Sequence, residues 1–219
     1  MTTPGATPAP QPSPWLGIGL EVYEQHMAHP VVGQLAALRE VMGEQLTDHP
    51  ARRVAILGIA GGNGLDRIDA AAVDAVYGYD LNPDYLAACD ARHRARFGDR
   101  LRLIQASVDR TLQIEPVDLL IANLFIEYVG VPEFAAFAAA NAERFAVLSC
   151  VTQRDTGGGF VSRSPFASAF DHLAQSSFDI DVAILAAALE RLGLDRLRVR
   201  EHELASGKVL VRQDFAAPR

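Results

Sequence analysis

Between residues 15 and 46 the apolar positions Leu20, Tyr23, Met27, Val31, Leu35, Leu38 and Met42 recur at intervals of three and four. That is the stripe of an amphipathic helix, and Pro30 is where it should break. Such a stripe needs a surface to cover. Downstream the pattern becomes short apolar runs alternating with helical segments. Strands are expected at Arg53–Leu57, 75–79, Leu101–Gln105, 117–122 and 145–151. Helices are expected at 65–72, at Pro83–Phe97 with proline opening the helix, and at 132–143. Strands that read as nearly unbroken apolar runs imply a parallel sheet covered on both faces, hence an α/β fold.

The last third reads differently. Residues 152–164 are polar and carry Gly157, Gly158 and Gly159 in succession, the mark of a loop with permissive backbone that can act as a lid. Asp181 is placed to cap an apolar helix running to about residue 192, with Gly193 at its C-terminal end. Two further strand-like runs, 197–204 and 208–215, are joined only by Ala205, Ser206 and Gly207. A connection that short forces an antiparallel hairpin.

The stretch from Val54 to Gly64 joins these elements to chemistry. An apolar strand runs straight into Gly58-Ile-Ala-Gly-Gly-Asn-Gly64, where missing side chains let a ligand approach the main chain. In an open α/β sheet ligands sit at the carboxyl ends of the strands. The next strand delivers Asp80 to its tip, sixteen positions after Gly64, where a carboxylate can accept hydrogen bonds from both hydroxyls of a ribose. Loop and acid together indicate a nucleoside-containing ligand. A dinucleotide fingerprint fits less well, because the third glycine of its motif is absent, and no Gly-Lys-Ser/Thr of a phosphate loop is present.

Composition narrows the class. With 219 residues, 49% of them apolar, the chain suits one α/β domain, and no run approaches the roughly 20 apolar residues of a membrane span. Residues 1–14 hold five prolines and no charge, which reads as a disordered lead-in rather than a secretory signal; a cytoplasmic protein, monomer or homodimer, is expected. A net charge of -7 without a basic block argues against nucleic acid as a partner. Cys89 and Cys150 are too few for a disulfide scaffold or a zinc cluster and read as core thiols.

The loop Gly58 to Gly64, the segment Tyr79-Asp80-Leu-Asn-Pro83, a fourth strand ending near Asn123 and the terminal hairpin together resemble the class I S-adenosylmethionine-dependent methyltransferases. More narrowly, Ala60-Gly-Gly-Asn-Gly64, Tyr23-Glu-x-His-Met27 and Ile126-Glu-Tyr128 are similar to a bacterial branch whose substrates are mostly unassigned. The resemblance implies a three-layer, Rossmann-like, seven-stranded sheet of order 3-2-1-4-5-7-6 over residues 51–219, with residues 15–46 as a helical cap. It also implies S-adenosylmethionine as cofactor, S-adenosylhomocysteine as product, a small-molecule acceptor and no metal.

Carried over by position, Gly58, Ala60, Gly61, Gly62, Asn63 and Gly64 approach the amino-acid part of the cofactor. Asp80 with Leu81 holds the ribose, Ser107 lies near the adenine amino group, and Asn123 and Leu124 line the methyl-bearing side. Gly58 stands where the family carries an acid, and Ala60 replaces the first glycine, departures that either weaken cofactor binding or move the contact to the cofactor's amino group to Glu21, Glu24 or Glu127.

His26, Glu127 and Tyr128 are the catalytic candidates, and Tyr23, Met27 and Gln153 the substrate-binding ones. Each carries a structural alternative: His26 as a packed helix residue, Tyr128 as a core closure, Gln153 as the start of the glycine loop, Ser107 as a group bonding its own backbone. The sequence after the fourth strand reads Asn123-Leu-Phe-Ile126, without the Asn/Asp-Pro-Pro-Tyr signature of enzymes that methylate amino groups on bases. A nucleotide-linked oxidoreductase and a non-catalytic S-adenosylmethionine-binding module are the competing readings.

Overall fold

The apolar runs pair into one seven-stranded sheet in the order β3-β2-β1-β4-β5-β7-β6. The strands are β1 (Arg53–Leu57), β2 (Ala75–Asp80), β3 (Leu101–Gln105), β4 (Val117–Asn123), β5 (Phe145–Arg154), β6 (Asp195–Glu203) and β7 (Val209–Ala216). The first five are parallel and β7 runs antiparallel to both β5 and β6, as the short connection at Ala205 to Gly207 requires. The computed structural model describes residues 13–155 and 159–218. The proline-rich residues 1–12, with Gly157 and Gly158 of the expected glycine loop, lie outside the described residues.

Alternation along the strands sends side chains to two cores, because successive residues of a strand face opposite sides of the sheet. Val54, Ile56, Leu119 and Ile121 pack with Leu86 and Cys89 of α3 (Pro83–Phe97) and Met42 of α2 (Gln34–Asp48). Ala55, Leu57, Leu120 and Ala122 pack with Phe134 and Phe137 of α5 (Val131–Ala140) and Leu185 and Leu189 of α7 (Val182–Glu190). Three layers result. Two termini follow their sequence signals closely: Asn82 Oδ1 accepts from Asp84 and Tyr85 N–H at the start of α3, and Asp181 Oδ1 accepts from Ala183 and Ile184 N–H at the start of α7.

The N-terminal stripe breaks where Pro30 stands. It forms α1 (Leu20–Ala28) and α2, turned against each other through a left-handed Gly33. Beneath α2 lies a charged network that no local pattern announced. Arg212 and Asp214, neighbours on one face of β7, are both fully buried. Arg212 donates to Asp214 at 2.9 and 2.6 Å and to Asp48 of α2 at 2.8 Å, while Asp214 also receives Ser149 Oγ at 2.6 Å and lies 2.8 Å from His49 Nε2. Buried charges survive only when paired and hydrogen-bonded.

The sequence expectations differ from the fold at five places. Residues 65–72 are not a helix: one 3-10 turn, Leu65–Arg67, gives way to extended Ile68. Leu65 and Ile68 both insert into the core, Arg96 of α3 donates to their carbonyl oxygens at 3.2 and 2.5 Å, and Arg39–Asp66 and Arg67–Glu40 pairs tie the turn to α2. Tertiary anchoring replaces helical hydrogen bonds there. Residues 152–154 extend β5 rather than opening the loop, because β7 continues to pair with them, Gln153 opposite Leu210. Two short helices, α4 (Ile126–Val129) and α6 (Asp171–Ser176), were not anticipated, and α5 ends at Ala140 rather than Glu143 because Asn141 turns inward to bond Ile114 N–H and the Leu112 and Phe137 carbonyls.

Candidate active site

Parallel register brings the chemistry to one edge. Leu57 pairs with Tyr79 of β2 and with Ala122 of β4, so the next residues, Gly58, Asp80 and Asn123, emerge side by side at the carboxyl ends of three adjacent strands. They line a cleft together with Ala60, Leu81, Ser107 and Leu124. Ala60 and Leu124 are the two non-glycine residues of positive φ among the described residues, at 48° and 49°. Strained backbone at both strand tips, held by its surroundings, is a common signature of functional sites.

Asp80 is nearly buried, and its oxygens receive Ala60 N–H and Asn82 N–H, each at 2.9 Å. Burial pushes its carboxyl above the usual carboxylate range, and these backbone donors pull it back. Each carboxylate oxygen carries two acceptor positions, so capacity remains for donors in the cleft. Gly58 has φ +63, and a Cβ built on it would stand 3.0 Å from the Phe125 ring. An acid therefore cannot occupy this position unless Phe125 moves. None of the three acids expected to replace it lines the cleft. Glu24 is clamped by Arg92, Glu21 accepts from Gln25 at the surface, and Glu127 faces a second cavity. Among the described residues Asp80 is the one acid of the cleft.

Four residues of the glycine loop stand apart from the cleft. A Cβ on Gly61 would collide with Arg92 and Glu24, one on Gly62 with His93, and one on Gly64 with Met42. Asn63 donates to the Leu35 carbonyl at 3.0 Å. The glycines thus let α1, α2 and α3 close over the loop. Asn123 lines the cleft while its amide exchanges two 2.9 Å hydrogen bonds with buried Gln45 of α2, tying the cap to the strand tip.

A second cavity adjoins the first, and Trp15, Tyr23, Leu124 and Tyr128 line both. Trp15 meets Tyr128 and Tyr23 edge to face at centroid distances of 4.9 and 5.6 Å, and Asn82 fixes it by donating to its carbonyl at 2.9 Å. His26, Met27, Glu127 and Gln153 line this pocket, so the catalytic and substrate candidates gather here. His26 Nδ1 pairs with Ser164 Oγ at 2.7 Å, and burial lowers the proton affinity of its ring. Glu127 is 2% exposed; its Oε1 receives Gln153 N–H at 2.7 Å and its Oε2 has no partner. Burial raises its pKa to about 7. Gln153 accepts from Gln34 at 2.5 Å and donates to the Phe160 carbonyl at 3.0 Å.

Sequence reasoning missed Trp15, Phe125, Phe160, Ser162 and Phe170. The lone tryptophan directly after the proline-rich lead-in was the available signal for the first. The others reach the site only through tertiary packing. Cys89 and Cys150 are buried and free, with burial raising both thiols. Among the described residues no helix is long and apolar enough to cross a membrane.

Strand order, terminal hairpin and strand-tip cleft define the Rossmann-like fold of the class I S-adenosylmethionine-dependent methyltransferases. The chain superposes on magnesium protoporphyrin IX methyltransferase (ChlM) from Synechocystis with bound S-adenosylmethionine at TM-score 0.69 and 13% identity, covering 93% of each chain. It superposes on N-methyltransferase NodS from Bradyrhizobium japonicum with S-adenosylhomocysteine at TM-score 0.63 and 12% identity, over 91% of this chain and 98% of that one. The [4+2]-cyclase SpnF matches at TM-score 0.63 and 10% identity, over 90% and 96%. No family model matches the chain, and no curated protein matches it in sequence.

Proposed function

We propose that the chain is an S-adenosylmethionine-dependent methyltransferase acting on a small molecule, with the cofactor in the strand-tip cleft and the acceptor in the adjoining pocket. The observation that carries the reading is the shared wall: two cavities meet at Trp15, Tyr23, Leu124 and Tyr128, the arrangement needed to pass a group between two bound molecules.

The cleft residues fit the cofactor's adenosine end. Asp80 keeps acceptor capacity for the ribose hydroxyls, with Leu81 beside it, and Ser107 stands at the tip of β3 for the adenine. At the amino-acid end Gly58 and Ala60 offer close backbone, while Gly61, Gly62, Asn63 and Gly64 support the cap. Bound S-adenosylmethionine supplies a methyl group activated on a sulfonium. The protein's own work is to align the acceptor, exclude water with α1 and residues 160–173, and accept a proton where the acceptor must lose one. Glu127, which lines the pocket and has one carboxylate oxygen without a partner, is the base; His26 and Tyr128 position the acceptor with Tyr23, Met27 and Gln153.

The competing oxidoreductase reading is separated by calorimetry. The proposal expects S-adenosylhomocysteine to bind in one equivalent and NADH not to bind; NADH binding without S-adenosylhomocysteine binding reverses the assignment. The absent acid at Gly58 favours one further reading, a module that binds the cofactor without turning it over. Tight binding with no methyl transfer across a broad acceptor panel would identify it.

A further inference from the structure

Resting on that functional reading, we infer that the aromatic pocket takes a flat, uncharged aromatic acceptor presenting a hydroxyl to Oε2 of Glu127. Four observations lead there. The walls are rings: Trp15 and Tyr128 cross edge to face, Tyr128 meets Phe160 likewise at 6.0 Å, and His26 lies 4.5 Å from Phe170. These rings pack against one another and together present an aromatic wall against which a planar ring can lie.

Among the described residues two polar side-chain atoms of the pocket are buried without a partner, Glu127 Oε2 and Ser162 Oγ, on residues 2% and 6% exposed. A buried acceptor left unpaired carries a desolvation penalty that a donor on the ligand removes. The neighbouring amides do not compete for it, because Gln34 and Gln153 bond each other and Gln153 bonds the Phe160 carbonyl.

Charge then selects among donors. Lys208, 3% exposed, donates its ammonium to the Phe160 carbonyl and lies 5.9 Å from that ring's centroid, behind the pocket wall. Its field helps hold His26 neutral and disfavours a cation in the pocket, while Glu127 disfavours an anion. An uncharged ligand with an acidic O–H satisfies both. Burial brings Glu127 to about 7, a value matched to accepting a proton near neutrality.

The step balances. A lone pair of the hydroxyl oxygen forms the new bond to the methyl carbon. The carbon–sulfur bond to that methyl breaks with its pair going to sulfur, and the hydroxyl proton passes to Glu127 Oε2. The products are a methyl aryl ether, S-adenosylhomocysteine and a protonated Glu127 that returns its proton to solvent.

The test is a binding competition rather than an assay of turnover. Protein saturated with S-adenosylhomocysteine is titrated calorimetrically with phenol, anisole, benzylamine and benzoate, and Trp15, the sole tryptophan, reports by fluorescence whether the site is engaged. Phenol should bind about tenfold tighter than the other three, the worth of one hydrogen bond to a charged or half-charged group. Glu127→Gln should shrink the phenol-to-anisole preference to about twofold while cofactor-product binding holds. The anisole control reads the same contact on the unaltered protein should the variant not fold. Benzylamine binding tightest, anisole equalling phenol, or no aromatic binding at all would overturn the inference. Failure of S-adenosylhomocysteine itself to bind would remove the reading beneath it, and the inference with it.

Discussion

The two cavities share a wall and are built by different means. The strand-tip cleft comes from sheet register: Gly58, Asp80 and Asn123 each stand one step beyond a paired row, so topology alone brings them together. The aromatic pocket is assembled from α1, α4, the end of β5 and residues 160–173, segments far apart in sequence. Their electrostatics differ in the same sense. Asp80 is satisfied by two backbone N–H groups before any ligand arrives, whereas Glu127 keeps an oxygen unpaired. A cavity fixed by register suits a ligand shared across a fold, and one fixed by added segments suits a ligand particular to one protein.

Four experiments press on that contrast. Glu127→Gln should have the largest effect, lowering turnover by about 10² to 10⁴, the usual worth of a positioned base, with affinity for S-adenosylhomocysteine preserved; equal losses in both would place Glu127 in the cofactor's site. Asp214→Ala removes one partner of a buried ion pair and should cost about 3–5 kcal/mol in chemical denaturation, loosening α2 from the sheet. A cost below about 1 kcal/mol would mean the network does not hold the cap.

In a pH series, turnover should rise about tenfold per unit up to pH 7, where Glu127 is losing its proton, then level off. The sign follows from an acid that works deprotonated. Tyr23 and Tyr128, raised by burial, stay neutral through that window, and Lys208, lowered to about 8, keeps its charge until above it; burial shifts the His26 ring downward. A flat profile from pH 5 to 7 would remove Glu127 as the base. Smallest of all, Glu24→Gln should leave S-adenosylhomocysteine affinity within about threefold and stability within about 1 kcal/mol, because its carboxylate serves a half-exposed pair with Arg92. A tenfold loss of affinity would make Glu24 the missing acid.

Where local chemistry decides structure, the sequence was readable. Apolar runs gave the strands, Ala205 to Gly207 gave the hairpin, and Asp181 and Pro83 marked helix starts. It misled where tertiary contacts override local pattern. Residues 65–72 carry helix-like composition, yet Leu65 and Ile68 are drawn into the core one turn apart and Arg96 takes their carbonyls. The close approach of side chains of the cap and α3 to Gly61, Gly62 and Gly64 likewise has no signal in the loop's composition. Arg212 and Asp214 carry no sign in sequence of lying at zero exposure, since Asp48, His49 and Ser149, which satisfy them, are remote in the chain. For the same reason Glu127 and Gln153 were found as candidates while the hydrogen bond that joins them, and the rings around them, were not.

The central claim is that the acid at the tip of β2 holds a nucleoside beside Trp15. Its most direct test is a titration of S-adenosylhomocysteine into the native chain and the Asp80→Ala variant, followed by Trp15 fluorescence. The account predicts a saturable signal in the native chain and an affinity weaker by about 1–3 kcal/mol in the variant, the scale of a charged hydrogen-bonding group lost. No signal in the native chain, or an identical affinity in both, would contradict it.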